Sequence, residues 1–222
     1  MPFDLPPVTR ALLIANVAVF LLQLLVHDQQ TFALTQHFAL WPLGPDQMLG
    51  YAANGELVGA GFRPWQLLTY GFMHGGWSHL FFNMFALFMF GGPIERLLGK
   101  REFLIYYVVC MVVAAVAQLL VVRFFTGGFY PTIGASGAIF GVLLAFGMFF
   151  PHQRLMLLFP PIPMPAWIFV SGYVVIELIL GVTQTQSGVA HFAHLGGALA
   201  GFVLIQYWRG KLPIKPKRRL MR

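Results

Sequence analysis

Long, mostly apolar runs, rather than the short alternations of a soluble core, set the pattern of this chain. They fall at about 9–27, 77–94, 103–123, 133–150, 166–183 and 189–208, each near the roughly 20 residues that an α-helix needs to cross a bilayer. The pattern predicts an all-α, polytopic membrane protein: a bundle of six transmembrane helices forming one domain over residues 1–210, followed by a basic tail at 211–222. The run beginning at Ala11 carries one preceding arginine and no small-x-small cleavage pattern after it, so it reads as a retained anchor. The segment from about 28 to 76 is mixed in polarity and rich in aromatic residues, including Phe38, Trp41, Phe62 and Trp65. It reads as an interfacial collar.

Composition agrees with that pattern. Of 222 residues, 58% are hydrophobic and only 9% charged, where an ordinary soluble domain has about 25% charged residues. The net charge of +7 does not point to nucleic acid, because six of the fourteen Lys and Arg residues fall in the last twelve positions, directly after a span. Twelve of the fourteen lie on the side of the termini, leaving Arg63 and Arg123 opposite. The positive-inside rule then places both termini in the cytoplasm, and the tail is expected to contact anionic lipid. The single cysteine, Cys110, lies in an apolar run and reads as packing.

Polar residues inside the spans are costly and tend to face a shared cavity. Three groups stand out. His79 and Asn83, with His74 nearby, open the second span, and their spacing of four puts them on one helix face. Gly134-Ala-Ser136-Gly137-Ala-Ile-Phe140-Gly141 opens the fourth span, where glycines leave the Ser136 hydroxyl accessible beside the unpaired N–H groups of a helix start. His194, Gly197 and Gly201 open the sixth span as one small-residue face. Packing that face against Gly137 and Gly141 would bring Ser136 and His194 together at shallow depth, near His79 and Asn83.

Such a set suits acyl transfer. Ser136 would be the nucleophile and His194 its base. His79, Asn83 and the backbone N–H of Ser136 would stabilise the oxyanion. Gly134, Gly137, Phe140, Gly141, Gly197 and Gly201 would support them, with Phe140 one turn after Ser136 and able to stack on the imidazole. No carboxylate is expected near His194, which predicts a dyad rather than a triad. Glu177, the only acidic residue well inside an apolar run, reads as snorkelling or as bonded to a neighbouring helix.

The residues from about Arg63 to Gly201 resemble the rhomboid family of intramembrane serine proteases. The family's histidine-x-x-x-asparagine pattern matches His79 to Asn83, GxSGxxxG matches Gly134 to Gly141, and HxxGxxxG matches His194 to Gly201. The resemblance implies a compact six-helix bundle of a bacterial inner membrane that hydrolyses single-span membrane proteins near the outer face through a Ser136-His194 dyad. No metal or cofactor is implied, and no oligomeric state follows. The fifth span and the loop at 183–189 would resemble the family's lateral gate and cap. Many members carry Trp-Arg in the first outer loop, where this chain has Trp65-Gln66 with Arg63 before it, and relatives often have tyrosine at the position of Phe140. A catalytically silent adaptor for client helices and a haem or transport protein using His74, His79, His191 and His194 are the competing readings.

Overall fold

A computed structural model describes residues 5–26, 28–51, 57–156, 161–183, 190–214 and 216. Nine α-helices are assigned among them. The chain begins with α1 (Pro7–Leu25), and the first loop holds α2 (Asp28–Phe38), the strands β1 (Gln47–Tyr51) and β2 (Leu57–Ala60), and α3 (Gln66–Thr69). Helix α4 (Trp77–Ala86) continues through a wider turn at Leu87–Gly91 into α5 (Gly92–Leu98). Then come α6 (Lys100–Val121), α7 (Ser136–Phe149), a small antiparallel pair of β3 (Arg154–Met156) and β4 (Pro163–Pro165), α8 (Ala166–Thr183) and α9 (His191–Trp208). The protein is a helical, polytopic membrane fold, with β1 and β2 as its other antiparallel pair.

Among the described residues, four helical stretches are long and apolar enough to cross a membrane: Pro7–Leu25, Trp77–Leu98, Lys100–Thr126 and Ala166–Thr183. The two that carry Ser136 and His194 fall outside that set for different reasons. Helix α7 has 14 residues, about 21 Å at 1.5 Å per residue, short of a hydrocarbon core about 30 Å thick. Most of its side chains are buried by other helices, so protein rather than lipid surrounds it. Helix α9 is longer but carries His191, His194 and Gln206 among its apolar residues.

The core forms where α6, α7 and α9 meet. The expected glycine faces are there, and they serve α6 as well as each other. A side chain on Gly141 would strike Cys110 of α6, and one on Gly201 would strike the Tyr106 hydroxyl of α6. Tyr106 fills that space and donates a hydrogen bond of 2.6 Å to the Gly141 carbonyl.

Two polar ties fix the helix starts. Glu95, only 2% exposed, accepts hydrogen bonds from the Val8 N–H at 3.0 Å, the Thr9 N–H at 2.7 Å and the Thr9 hydroxyl at 2.8 Å. A carboxylate thus caps the positive end of α1 from α5. Glu95→Ala strands three donors, and a loss on the order of 2–3 kcal/mol is expected, read as a lowered Tm in detergent. At the other end of α1, the Gln23 amide accepts from the His74 N–H at 3.0 Å and donates to the His74 carbonyl at 3.2 Å. This secures the turn that leads into α4.

The first loop is tied down by Gln66, which is fully buried. Its carbonyl oxygen accepts from the Trp41 and Arg63 N–H groups, and its amide donates to the carbonyls of Gly61 and His37. Arg63 forms an exposed two-point pair with Asp46 at 3.0 and 2.6 Å. That hydrogen bonding holds the Asp46 carboxyl below the usual carboxylate range, yet exposed pairs contribute little to stability. The buried amide anchors this loop. The loop in turn meets the segment before α7 through a bridge between Leu40 and Thr132.

Candidate active site

Ser136 is the first residue of α7, and the segment before it is fixed at two points. Thr132 pairs with Leu40, and the Gly134 N–H donates to the Tyr70 carbonyl at 2.9 Å. Gly134 has φ +121°, a backbone conformation that side chains rarely adopt. A Cβ there would also lie 2.7 Å from His79 Nε2. Glycine therefore does two things at this position: it turns the chain into α7 and leaves room for an imidazole beside Ser136.

The Ser136 hydroxyl lies 2.7 Å from His194 Nε2. On the far side of the ring, His194 Nδ1 lies 2.9 Å from Glu177 Oε2. A carboxylate only accepts, so Nδ1 carries the proton and Nε2 is free to accept from the Ser136 hydroxyl. Phe140 lies flat on the imidazole, with ring centroids 4.3 Å apart and planes 5° from parallel. One ring is thus held at both nitrogens and on one face.

The expectation that no carboxylate lies near His194 is overturned. Glu177 comes from α8, 4% exposed, and its Oε2 also accepts from His191 Nδ1 at 2.7 Å. Residue spacing within single helices cannot report which side chains meet where α8 crosses α9. The sequence did carry a signal: a lone carboxylate in an apolar run needs a buried partner, and His191 and His194 lie on one face of α9. Glu177 thus bonds to a neighbouring helix and does not snorkel. The ligand atoms of Glu177, His191 and His194 all lie within 4.8 Å of one another, a group able to hold a metal ion. Here the two ring protons occupy the shared oxygen.

His79 sits across the cavity on α4. Its Nδ1 accepts from the Gly75 N–H at 3.3 Å, so in the neutral ring the proton is on Nε2, the nitrogen beside Gly134. Asn83, one turn later, donates 2.9 Å to the His79 carbonyl, which commits part of its amide to its own helix. His74 is buried and its ring meets that of His79 edge-on at 5.1 Å.

His79, Asn83, Ser136 and His194 line one part of a cavity of about 1680 Å³. Beyond them it continues between apolar side chains of α4, α7 and α8, such as Phe85, Leu143 and Phe169. The expected gate helix thus forms one wall. Of the loop expected to act as a cap, 183–189, residues 184–189 lie outside the described residues, as does most of the basic tail.

Residues 61–210 match the Rhomboid domain family. The chain belongs to the rhomboid family. Among similar proteins, Rhomboid protein 1, mitochondrial, of Saccharomyces cerevisiae is 32% identical over 151 residues, covering 67% of this chain and 42% of the yeast protein. The human Presenilin-associated rhomboid-like protein, mitochondrial, is 30% identical over 188 residues, 80% of this chain and 48% of the human one. Rhomboid protease GluP of Bacillus subtilis is 34% identical over 138 residues, 62% of this chain and 25% of that protein. This rhomboid spans less than half the length of these relatives.

Proposed function

We propose that the protein is an intramembrane serine endopeptidase that hydrolyses single-span membrane proteins. The observation that carries this reading is the 2.7 Å contact between the Ser136 hydroxyl and His194 Nε2 at the start of a helix. His194 takes the Ser136 proton as Oγ attacks the scissile carbonyl, then returns it to the leaving amine. The Ser136 N–H, unpaired at the first turn of α7, and the His79 Nε2–H face the developing oxyanion. Asn83 lies one turn deeper and would contribute its second amide proton.

The apolar stretch of the cavity supports a membrane-spanning substrate, because walls that include Phe85, Leu143 and Phe169 suit a lipid-soluble helix. A helical peptide bond is shielded by its own hydrogen bonds, so the cut segment must unwind before attack. The Lys and Arg distribution supports cytoplasmic termini, which puts Ser136 near the outer face. The membrane proposed is a bacterial inner membrane, with an organellar one the competing outcome given the mitochondrial relatives.

A panel of tagged single-span proteins, incubated with purified parent and Ser136→Ala protein in liposomes, tests the reading. Ser136-dependent fragments are expected. Equal cleavage by Ser136→Ala would refute it, and a parent whose Ser136 resists fluorophosphonate labelling would favour a silent adaptor.

A further inference from the structure

We infer that Glu177 is a positioning residue for His194, and that His191 serves as the clamp that holds the Glu177 carboxylate in place. The inference rests on the peptidase reading above and departs from a reaction run by Ser136 and His194 alone. Three observations carry it, all of them centred on α8.

The first is the bonding pattern. One oxygen, Glu177 Oε2, accepts from His194 Nδ1 at 2.9 Å and from His191 Nδ1 at 2.7 Å. His191 and His194 are three apart on α9, so both rings leave the same helix face and converge on that oxygen. A carboxylate on a freely rotating side chain could swing away from His194, and the second donor prevents it. His191 has no contact with Ser136; its ring acts on the carboxylate.

The second is the approach of α8 to α9. Gly181 lies one turn after Glu177, and a Cβ on it would come within 3.1 Å of the His191 Cβ and 3.2 Å of the Phe192 ring. The missing side chain lets α8 close on α9 where the two histidines lie. The third is Tyr173, one turn before Glu177, whose ring meets that of Phe140 at 4.9 Å. Phe140 is the plate under the His194 imidazole. Helix α8 therefore supports the catalytic ring both through the carboxylate and through the stack.

The chemical consequence concerns the tautomer and the charge. With Nδ1–H held by Glu177, Nε2 is the only ring nitrogen open to the Ser136 proton. When it takes that proton the ring becomes an imidazolium, and the negative carboxylate faces the new charge inside a cavity of low polarity. The carboxylate gains no proton itself; the one moved goes from Ser136 Oγ to His194 Nε2 and on to the leaving amine.

Glu177→Gln keeps an oxygen for the two ring donors and removes the charge. The second-order rate of fluorophosphonate labelling of Ser136 isolates the acylation step, and it is expected to fall on the order of 10²- to 10⁴-fold. In parallel kcat on a cleaved single-span substrate falls while KM stays within about threefold of the parent value, because Glu177 acts on the reacting ring and touches no substrate. Labelling of Glu177→Gln within threefold of the parent overturns the proposal and leaves the peptidase reading standing. A parent protein that Ser136-dependent labelling fails to detect overturns both. A measurement on the parent alone guards against misfolding of the variant. In protein carrying ¹⁵N-histidine, a low-field proton resonance on His194 Nδ1 is expected, and its absence refutes the geometry.

Discussion

His194→Ala is expected to lower turnover on the order of 10⁶-fold, about as much as loss of the serine itself. The reason lies in what the cavity offers instead. Without the imidazole, Ser136 Oγ loses its partner at 2.7 Å, and no other base takes its place. His191 Nδ1 is committed to Glu177, and His79 Nδ1 accepts from Gly75, which leaves its Nε2 a donor. What survives is the oxyanion site and substrate binding, worth roughly 10³- to 10⁴-fold over water. Structure suffers less, because Glu177 keeps its bond from His191. The variant should therefore fold, with a Tm near that of the parent, and fail to label with fluorophosphonate. Turnover within tenfold of the parent would remove His194 as the base.

The pairing of Ser136 with His194 is legible from one-dimensional information. Ser136 and His194 lie 58 residues apart, but each begins a helix whose next turns present glycines. Two smooth helix faces attract each other in a membrane by packing alone, so matching faces carry information about contact. The helical and polytopic character was legible on the same grounds, because hydrocarbon allows only backbones that satisfy their own hydrogen bonds.

Other features were hidden because they depend on crossings rather than on periodicity. The part played by α6 is one. Its sequence reads as an ordinary apolar span, yet Tyr106 and Cys110 fill the spaces beside Gly201 and Gly141. Glu177 is another, since only the angle between α8 and α9 decides whether its carboxylate meets His194 or lipid headgroups. The first loop hid its anchor differently. Gln66 is unremarkable by type, and its role follows from four backbone groups that converge on one buried amide. In each case the signal is a polar or bulky group whose cost must be met by a partner that spacing cannot name.

Gly197→Ala should be the most damaging single methyl in the bundle. A Cβ at this position would overlap the Gly137 carbonyl oxygen and lie 2.7 Å from its carbon. Both atoms belong to the backbone of α7, so no rotamer change relieves the overlap. Alanine improves helix propensity over glycine by about 1 kcal/mol, but a carbon needs roughly 3.3 Å or more from a carbonyl oxygen, and the two helices must part to provide it. Overpacking of this kind costs about 1–3 kcal/mol, occasionally more. The separation falls one turn from His194, which must stay 2.7 Å from Ser136, and a misplacement of about 1 Å can cost on the order of 10² in rate. Gly197→Ala is thus expected to lower Tm and to reduce turnover at least 10²-fold. Gly172→Ala on α8 is the matched control, because a Cβ there meets nothing within 4 Å and should leave both measurements near parent values. If Gly197→Ala cleaved at the parent rate, close backbone contact between α7 and α9 could not be what holds the serine to its base.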